Sequence, residues 1–324
     1  MRLLAGFSTD TNASSDASSG AAQTSWAGVE AGAWLDEVLA ELRDPAASAE
    51  GAAVPGLQAE LRPYQATGVE WLWFISRLGL GGCLADDMGL GKTIQTLGLL
   101  LKRKAASTDK SPSSLLVLPA SLLANWRDEI RKFAPSLSFV ILHPSEPQDI
   151  TQQASSKACL AADVVITTYG MLTRLEVLQT RTWDLVILDE AQAIKNPGTR
   201  QARCVKGLKA AARFALTGTP VENRAGDLWS LFDFINPGLL GSAPEFSRFT
   251  KARESAERPD YAPLRNLTRP YILRRLKTDK RIIQDLPEKT EVRAWCSLSK
   301  AQAALYQRAV TELAEALDSS DGIQ

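Results

Sequence analysis

Gly82-Cys83-Leu84-Ala85-Asp86-Asp87-Met88-Gly89-Leu90-Gly91-Lys92-Thr93 decides how the rest of the chain is read. A short apolar run feeds a loop with glycines at 89 and 91, and Lys92 opens a helical pattern that continues to Lys104. The two glycines let the backbone turn tightly enough for its N–H groups to face a phosphate, and the helix behind adds its positive end. In such a loop Lys92 places a charge between the β- and γ-phosphates, and the Thr93 hydroxyl coordinates magnesium. The full phosphate-loop pattern asks for a glycine where Asp86 stands, so the match is incomplete at that position.

A second signal follows downstream. The apolar run Asp184-Leu185-Val186-Ile187-Leu188 reads as a buried strand and delivers Asp189-Glu190-Ala191-Gln192 to its end. There Asp189 can hold the magnesium while Glu190 polarises an attacking water. An isolated Asp-Glu pair could equally cap a helix, but the glycine loop upstream favours binding and hydrolysis of ATP. Two further stretches join them. Gln65, in Leu61-Arg62-Pro63-Tyr64-Gln65, offers a donor and an acceptor suited to an adenine edge, although a helix-start glutamine in solvent is the simpler alternative. Leu216-Thr217-Gly218-Thr219-Pro220 is a strand ending in a hydroxyl-rich turn that could link the γ-phosphate state to a partner domain.

Between these motifs, buried strands alternate with helices. Helices are expected over Tyr64 to Leu78, over Lys92 to Lys104, and from a cap at Ser121 to Phe133. Strands are expected at Gly82–Ala85, Leu115–Leu118, Phe139–Leu142, Asp163–Thr167, Leu185–Leu188 and Arg213–Leu216. Continuous apolar strands alternating with helices define an α/β fold with a mostly parallel sheet and helices on both faces. Ligands in such sheets sit at the carboxyl ends of the strands, where both signature motifs fall. Past Asn236-Pro237 the pattern loosens into helices, a locally basic run from Arg269 to Arg281, a strand-like stretch from Glu288 to Leu298, and a final helix with Ser299 as its cap. Toward the N-terminus, Ser8 to Thr24 has the composition of a disordered segment. Trp34 to Leu42 looks helical, and a linker follows to Gly56.

Composition sets the outer bounds. The 324 residues are 45% apolar and 23% charged, as in ordinary globular proteins, and 37 Lys and Arg balance 37 Asp and Glu. A nucleic-acid surface must therefore come from local patches rather than from a global field. The four cysteines (Cys83, Cys159, Cys204 and Cys296) are scattered, and the single histidine, His143, follows a strand, so no zinc site is expected and a reduced cytoplasm fits. No apolar run is long enough to span a bilayer, so no membrane partner is expected.

Taken in order, Leu61–Gln65, Ala85–Thr93, Pro119-Ala120-Ser121-Leu122-Leu123-Ala124-Asn125-Trp126, Ile166-Thr167-Thr168-Tyr169, Asp189–Gln192 and Leu216–Pro220 resemble the first-lobe motifs of the Swi/Snf-type ATPases of helicase superfamily two. In that family Asp86 is expected in the loop. Asp87 in place of Glu is a mild departure. The resemblance implies a RecA-like P-loop lobe with a helical insertion at its C-terminal end. It divides the chain into an N-terminal linker with one short helix (1–56), the ATP-binding lobe (57–240), and a helical protrusion leading toward a second lobe (241–324).

It also implies the residue roles. Gln65 would contact adenine, and Asp87, Met88, Gly89, Leu90, Gly91, Lys92 and Thr93 would form the nucleotide loop. Thr93 and Asp189 would hold magnesium, Asp189 and Glu190 would be the catalytic acids with Lys92, and Gln192 would couple nucleotide to DNA. Pro119, Ser121, Thr167 and Thr168 would lie along a duplex DNA backbone, which suits a sequence-independent motor. A nucleoid-associated cytoplasmic location is implied, with duplex DNA, a second RecA-like lobe and RNA polymerase or another DNA-bound protein as partners. A second lobe would bring an arginine finger, typically worth about 10³–10⁵ in rate, so turnover by this lobe alone is expected to be weak. The alternatives are a nucleotide-dependent interaction module without turnover and a strand-separating DNA or RNA helicase.

Overall fold

The computed structural model describes residues 53–106, 113–146, 150–218, 225–254, 261–279 and 297–319. The chain divides into two units, Met1–Gln284 and Asp285–Gln324. The expected N-terminal disordered segment and the helix over Trp34–Leu42 lie outside the described residues. So do Thr219, Pro220, Lys280, Arg281, Cys296 and most of the expected strand over 288–298.

Within the first unit, seven parallel strands form one sheet in the order β3-β4-β2-β5-β6-β1-β7. They are β1 (Gly82–Leu84), β2 (Ser114–Leu118), β3 (Phe139–Leu142), β4 (Val164–Thr168), β5 (Thr182–Leu188), β6 (Lys209–Leu216) and β7 (Ile272–Leu273). Successive side chains point to opposite faces, so an apolar strand buried on both sides feeds two cores. Leu116, Leu118, Leu185 and Ile187 join Trp71, Leu72, Leu97 and Trp126 on one face. Leu115, Val117, Val186 and Leu188 join Leu172, Val205 and Phe232 on the other.

Three helices matter most for the site: α1 (Pro63–Arg77), α2 (Lys92–Ala106) and α3 (Leu123–Phe133). Pro63 opens α1 at a position where a missing N–H costs nothing. A Cβ on Gly68 would lie 1.8 Å from Gln95 Oε1, so any larger residue there would have to displace the buried Gln95 side chain between α1 and α2. That close packing presses the start of α1 against the glycine loop.

The structure corrects two local expectations. Ser121 does not cap α3. A 3₁₀ turn over Ala120–Leu122 precedes the helix, the Leu122 N–H donates to Pro119 O at 3.0 Å, and the N-cap residue, Leu122, makes no side-chain cap bond. The turn satisfies backbone groups that a cap would otherwise serve. By contrast, Ser299 does cap the helix Lys300–Ser319 in the second unit, with Ser299 Oγ accepting the Gln302 N–H at 3.3 Å and Gln302 Oε1 accepting the Ser299 N–H at 3.0 Å.

The second correction concerns the end of the lobe. Helices Ala225–Ile235, Ala243–Glu254 and Ala262–Thr268 follow β6, as a helical insertion requires, but the chain then returns to the sheet. β7 pairs with β1, so the sheet extends past the expected lobe boundary at residue 240. Two residues inside a basic run carry no strand signature of their own, and it is the open edge of β1 that recruits them.

Candidate active site

β5, β6 and β1 are neighbours, and the site is built across their carboxyl ends. After β1 the chain passes through Ala85–Gly91 into α2, with Gly89 at φ +80° and Gly91 at φ +78°. A Cβ at Gly91 would displace the end of the Gln65 side chain, 2.4 Å away, and the positive φ is what demands glycine there. The turn has the tight, glycine-dependent backbone that an anion cradle requires, and its outer residue Met88 is exposed.

Asp86 fills the position of the absent glycine and is fully buried. It forms an ion pair with Arg275, whose Nε donates to Asp86 Oδ1 at 2.9 Å and whose second guanidinium nitrogen donates to Oδ2. Gln95 Nε2 donates to the same Oδ2 at 3.2 Å. Part of the basic run is thus internal, because a buried carboxylate must be paired.

Lys92 reaches back across the loop, with Nζ donating to Asp86 O at 2.7 Å and to Asp87 O at 3.3 Å. Burial pulls its ammonium below the ordinary lysine range, against Asp86, Asp189, Glu190 and Asp87, which raise it. Thr93, half-buried, follows at the start of α2. Gln65 lies against the loop. Its Oε1 accepts the Arg62 N–H at 3.0 Å, and its Nε2 donates to Leu90 O at 3.3 Å and to Tyr64 Oη at 3.5 Å.

Asp189 sits at the end of β5 and is only 8% exposed. Its two carboxylate oxygens accept neutral donors, Trp126 Nε1–H at 2.7 Å and the Glu190 N–H at 2.9 Å. The Tyr169 hydroxyl donates to its backbone carbonyl at 2.8 Å. Burial pushes the Asp189 carboxyl above its ordinary 3.8, the neighbouring Glu190 charge adds to the rise, and the two donors and Lys92 oppose it. Glu190 has φ +49°, the one non-glycine residue in the left-handed region among the described residues. Such a conformation costs roughly 1–3 kcal/mol and is often kept at sites that need a side chain aimed.

Glu190 Oε2 accepts Gln192 Nε2–H at 2.5 Å, and Gln192 Oε1 accepts the Thr217 hydroxyl at 3.0 Å. The Thr217 N–H in turn donates to Leu84 O at 3.1 Å. One hydrogen-bonded chain therefore crosses from the acid pair over β6 to the strand that carries the loop. The oxygen donors of Thr93 and Asp189 suit a hard cation such as magnesium. Among the described residues no three His, Cys, Asp or Glu side chains form a metal cage of their own, and magnesium characteristically combines one or two protein oxygens with substrate phosphates and water.

The residues expected to follow DNA lie one and two strands beyond β5, after β2 and at the end of β4. Leu118 pairs with Thr168, which brings Pro119 and Thr168 to one sheet edge. Ser121 is exposed and Pro119 half-buried. Thr167 is fully buried and its hydroxyl donates to Leu142 O at 3.1 Å, so it does not face the surface. β4 is buried on both faces, so neither register position of this strand reaches the surface. Thr168 is also buried and caps the next turn by accepting the Met171 N–H at 3.3 Å. The residues that sequence reasoning missed are supports: Trp126 and Tyr169 for Asp189, and Gln95 and Arg275 for Asp86. Trp126 lay within a quoted motif, and a buried indole N–H needs an acceptor, which was the available clue.

A glycine cradle after β1 and an acid pair after β5, on a parallel sheet with both faces covered, define a P-loop nucleotide-binding lobe. The SNF2-related domain pattern matches residues 64–322. The putative ATP-dependent helicase/translocase YwqA of Bacillus subtilis (strain 168) is 42% identical over 275 residues, covering 83% of this chain and 29% of that protein. The TATA-binding protein-associated factor MOT1 of Saccharomyces cerevisiae is 33% identical over 296 residues, 83% of this chain and 16% of that protein. Among solved structures, the Sulfolobus solfataricus SWI2/SNF2 ATPase core in complex with dsDNA aligns at a TM-score of 0.65 and 42% identity, covering 84% of this chain and 56% of that one. This chain belongs to the SNF2-related family of helicase-like ATPases. It spans less than a third of the length of these two relatives.

Proposed function

We propose that the chain is the ATP-binding lobe of a DNA-dependent ATPase that couples hydrolysis to movement on duplex DNA or to remodelling of protein–DNA complexes. The observation that carries this reading is the chain Glu190–Gln192–Thr217, which ties the acid pair to the turn after β6. A simple nucleotide store has no need of that linkage, whereas a motor must pass the state of its nucleotide to another surface.

In this reading Lys92 leaves the loop carbonyls for the phosphates, and Thr93 and Asp189 hold magnesium, which screens phosphate charge when bound. Glu190 orients the attacking water and accepts its proton. An adenine edge at Gln65 replaces the Tyr64 hydroxyl, the longest of the glutamine's three bonds. The exposed Ser121 hydroxyl meets a DNA phosphate, Pro119 and Thr168 shape the surface beside it, and Thr167 braces them from below. A second lobe, in the same protein or another, supplies the cation that completes the site, so turnover by this chain alone is weak. RNA polymerase or another DNA-bound protein is the proposed object of the motion.

Steady-state ATP hydrolysis with and without duplex DNA tests the proposal on the full chain, Lys92→Ala and Glu190→Gln. Duplex-stimulated turnover that falls by about 10²–10⁴ in Glu190→Gln supports it. ATP binding with slow turnover that duplex DNA leaves unchanged, in the presence of a second lobe, would show an interaction module instead.

A further inference from the structure

The segment beyond β7 continues alongside the glycine loop as a strap. Ala85 N–H donates to Leu273 O at 2.7 Å and Asp87 N–H to Arg275 O at 3.1 Å. In return, Arg275 N–H donates to Asp86 Oδ1 at 3.0 Å and Lys277 N–H to Asp87 Oδ2 at 3.0 Å. Arg275 anchors the strap. Besides pairing with Asp86, it donates to Gln95 Oε1 at 2.6 Å and to Tyr64 O, which joins the strap to both α1 and α2.

The strap delivers a second ammonium to the loop. A Cβ built on Gly89 would lie 3.0 Å from Lys277 Nζ, so this charge rests against the backbone where the cradle turns. Lys277 is exposed and makes no ion pair among the described residues. Its backbone is held by Asp87, whose carbonyl receives Lys92 Nζ. Two lysines from opposite ends of the lobe thus converge on one three-residue turn, Asp87-Met88-Gly89. An exposed lysine has little reason to sit against a glycine backbone, and the backbone N–H groups of such a turn favour negative charge.

We propose that Lys277 is a second phosphate-binding residue of the nucleotide site, recognising the polyphosphate of a nucleoside di- or triphosphate, and that Arg275 positions it. This rests on the reading of the loop as an ATP site. Because the strap pairs with the loop, nucleotide binding and docking of the strap support each other, and the segment leading out of the lobe senses the bound nucleotide.

The test measures equilibrium binding of Mg·ATP, Mg·ADP and adenosine to the unaltered chain, Lys92→Ala, Lys277→Ala and Lys277→Arg. Lys277 is exposed, so these variants should fold, and their melting temperatures verify it. Loss of one charge-assisted contact weakens ATP and ADP binding about tenfold in Lys277→Ala, with adenosine unchanged and with recovery in Lys277→Arg. The salt dependence of ATP binding also becomes shallower in Lys277→Ala. If Lys92→Ala loses ATP while Lys277→Ala binds it like the unaltered chain, the strap lysine has no phosphate role and the ATP reading stands. If the unaltered chain binds no ATP, both fall.

Discussion

Asp86 and Asp189 are both buried at the carboxyl edge of the same sheet, and they are held in opposite ways. Asp86 faces a guanidinium that forks onto both of its oxygens. Asp189 accepts only an indole N–H and an amide N–H, which order the carboxylate without neutralising it. The first charge is already balanced inside the protein. The second has no such partner, and burial, which disfavours the uncompensated anion, raises its pKa. One aspartate fastens the loop to the sheet edge, while the other, in the proposed function, is the one available to magnesium.

The largest effect that could break this comparison is on stability. Asp86→Asn leaves Arg275 buried without its counter-charge and should cost about 3–5 kcal/mol in chemical denaturation. Asp189→Asn loses one acceptor but relieves the burial of an anion, and should cost about 1 kcal/mol or less. Equal losses in the two variants would erase the distinction.

Trp126→Phe sharpens it further. Removing the indole donor strands one oxygen of Asp189 and should cost about 1–3 kcal/mol. It also lets the Asp189 pKa climb further. With the folded pKa raised above 3.8, the folded chain binds the proton more tightly than the unfolded chain. The stability contributed by the protonated form is therefore present at low pH and lost as pH rises through the raised pKa. In Trp126→Phe that loss should shift to higher pH, seen as a displaced curve of melting temperature against pH. A curve that stays in place would mean that the indole does not hold the carboxylate.

How much of this could be read in advance followed distance along the chain. The turn from Asp86 to Thr93 and the placement of Asp189 and Glu190 at the end of β5 are legible, because each is a local pattern set by neighbouring residues. The parallel sheet was legible too, since strands buried on both faces are apolar throughout. Arg275 was not. Its partner Asp86 lies 189 residues away, and a run of arginines and lysines reads as a solvated face until the sheet closes. Trp126 and Asp189, 63 residues apart, meet only because β2 and β5 are neighbours. Thr167 and Thr168 read together as a surface pair, yet β4 is covered on both faces and both hydroxyls are bonded inside the lobe. Ser121 had the composition of a cap and lost that role to a 3₁₀ turn begun by Pro119, whereas Ser299, with a glutamine three residues on, kept it.

The contrast between the two aspartates is tested most directly by titrating ATP into the unaltered chain and Asp189→Asn, each with and without magnesium. Magnesium should tighten ATP binding in the unaltered chain, and about tenfold or more of that gain should vanish in Asp189→Asn. An undiminished magnesium gain in the variant would contradict the assignment of Asp189 as the carboxylate reserved for the cation.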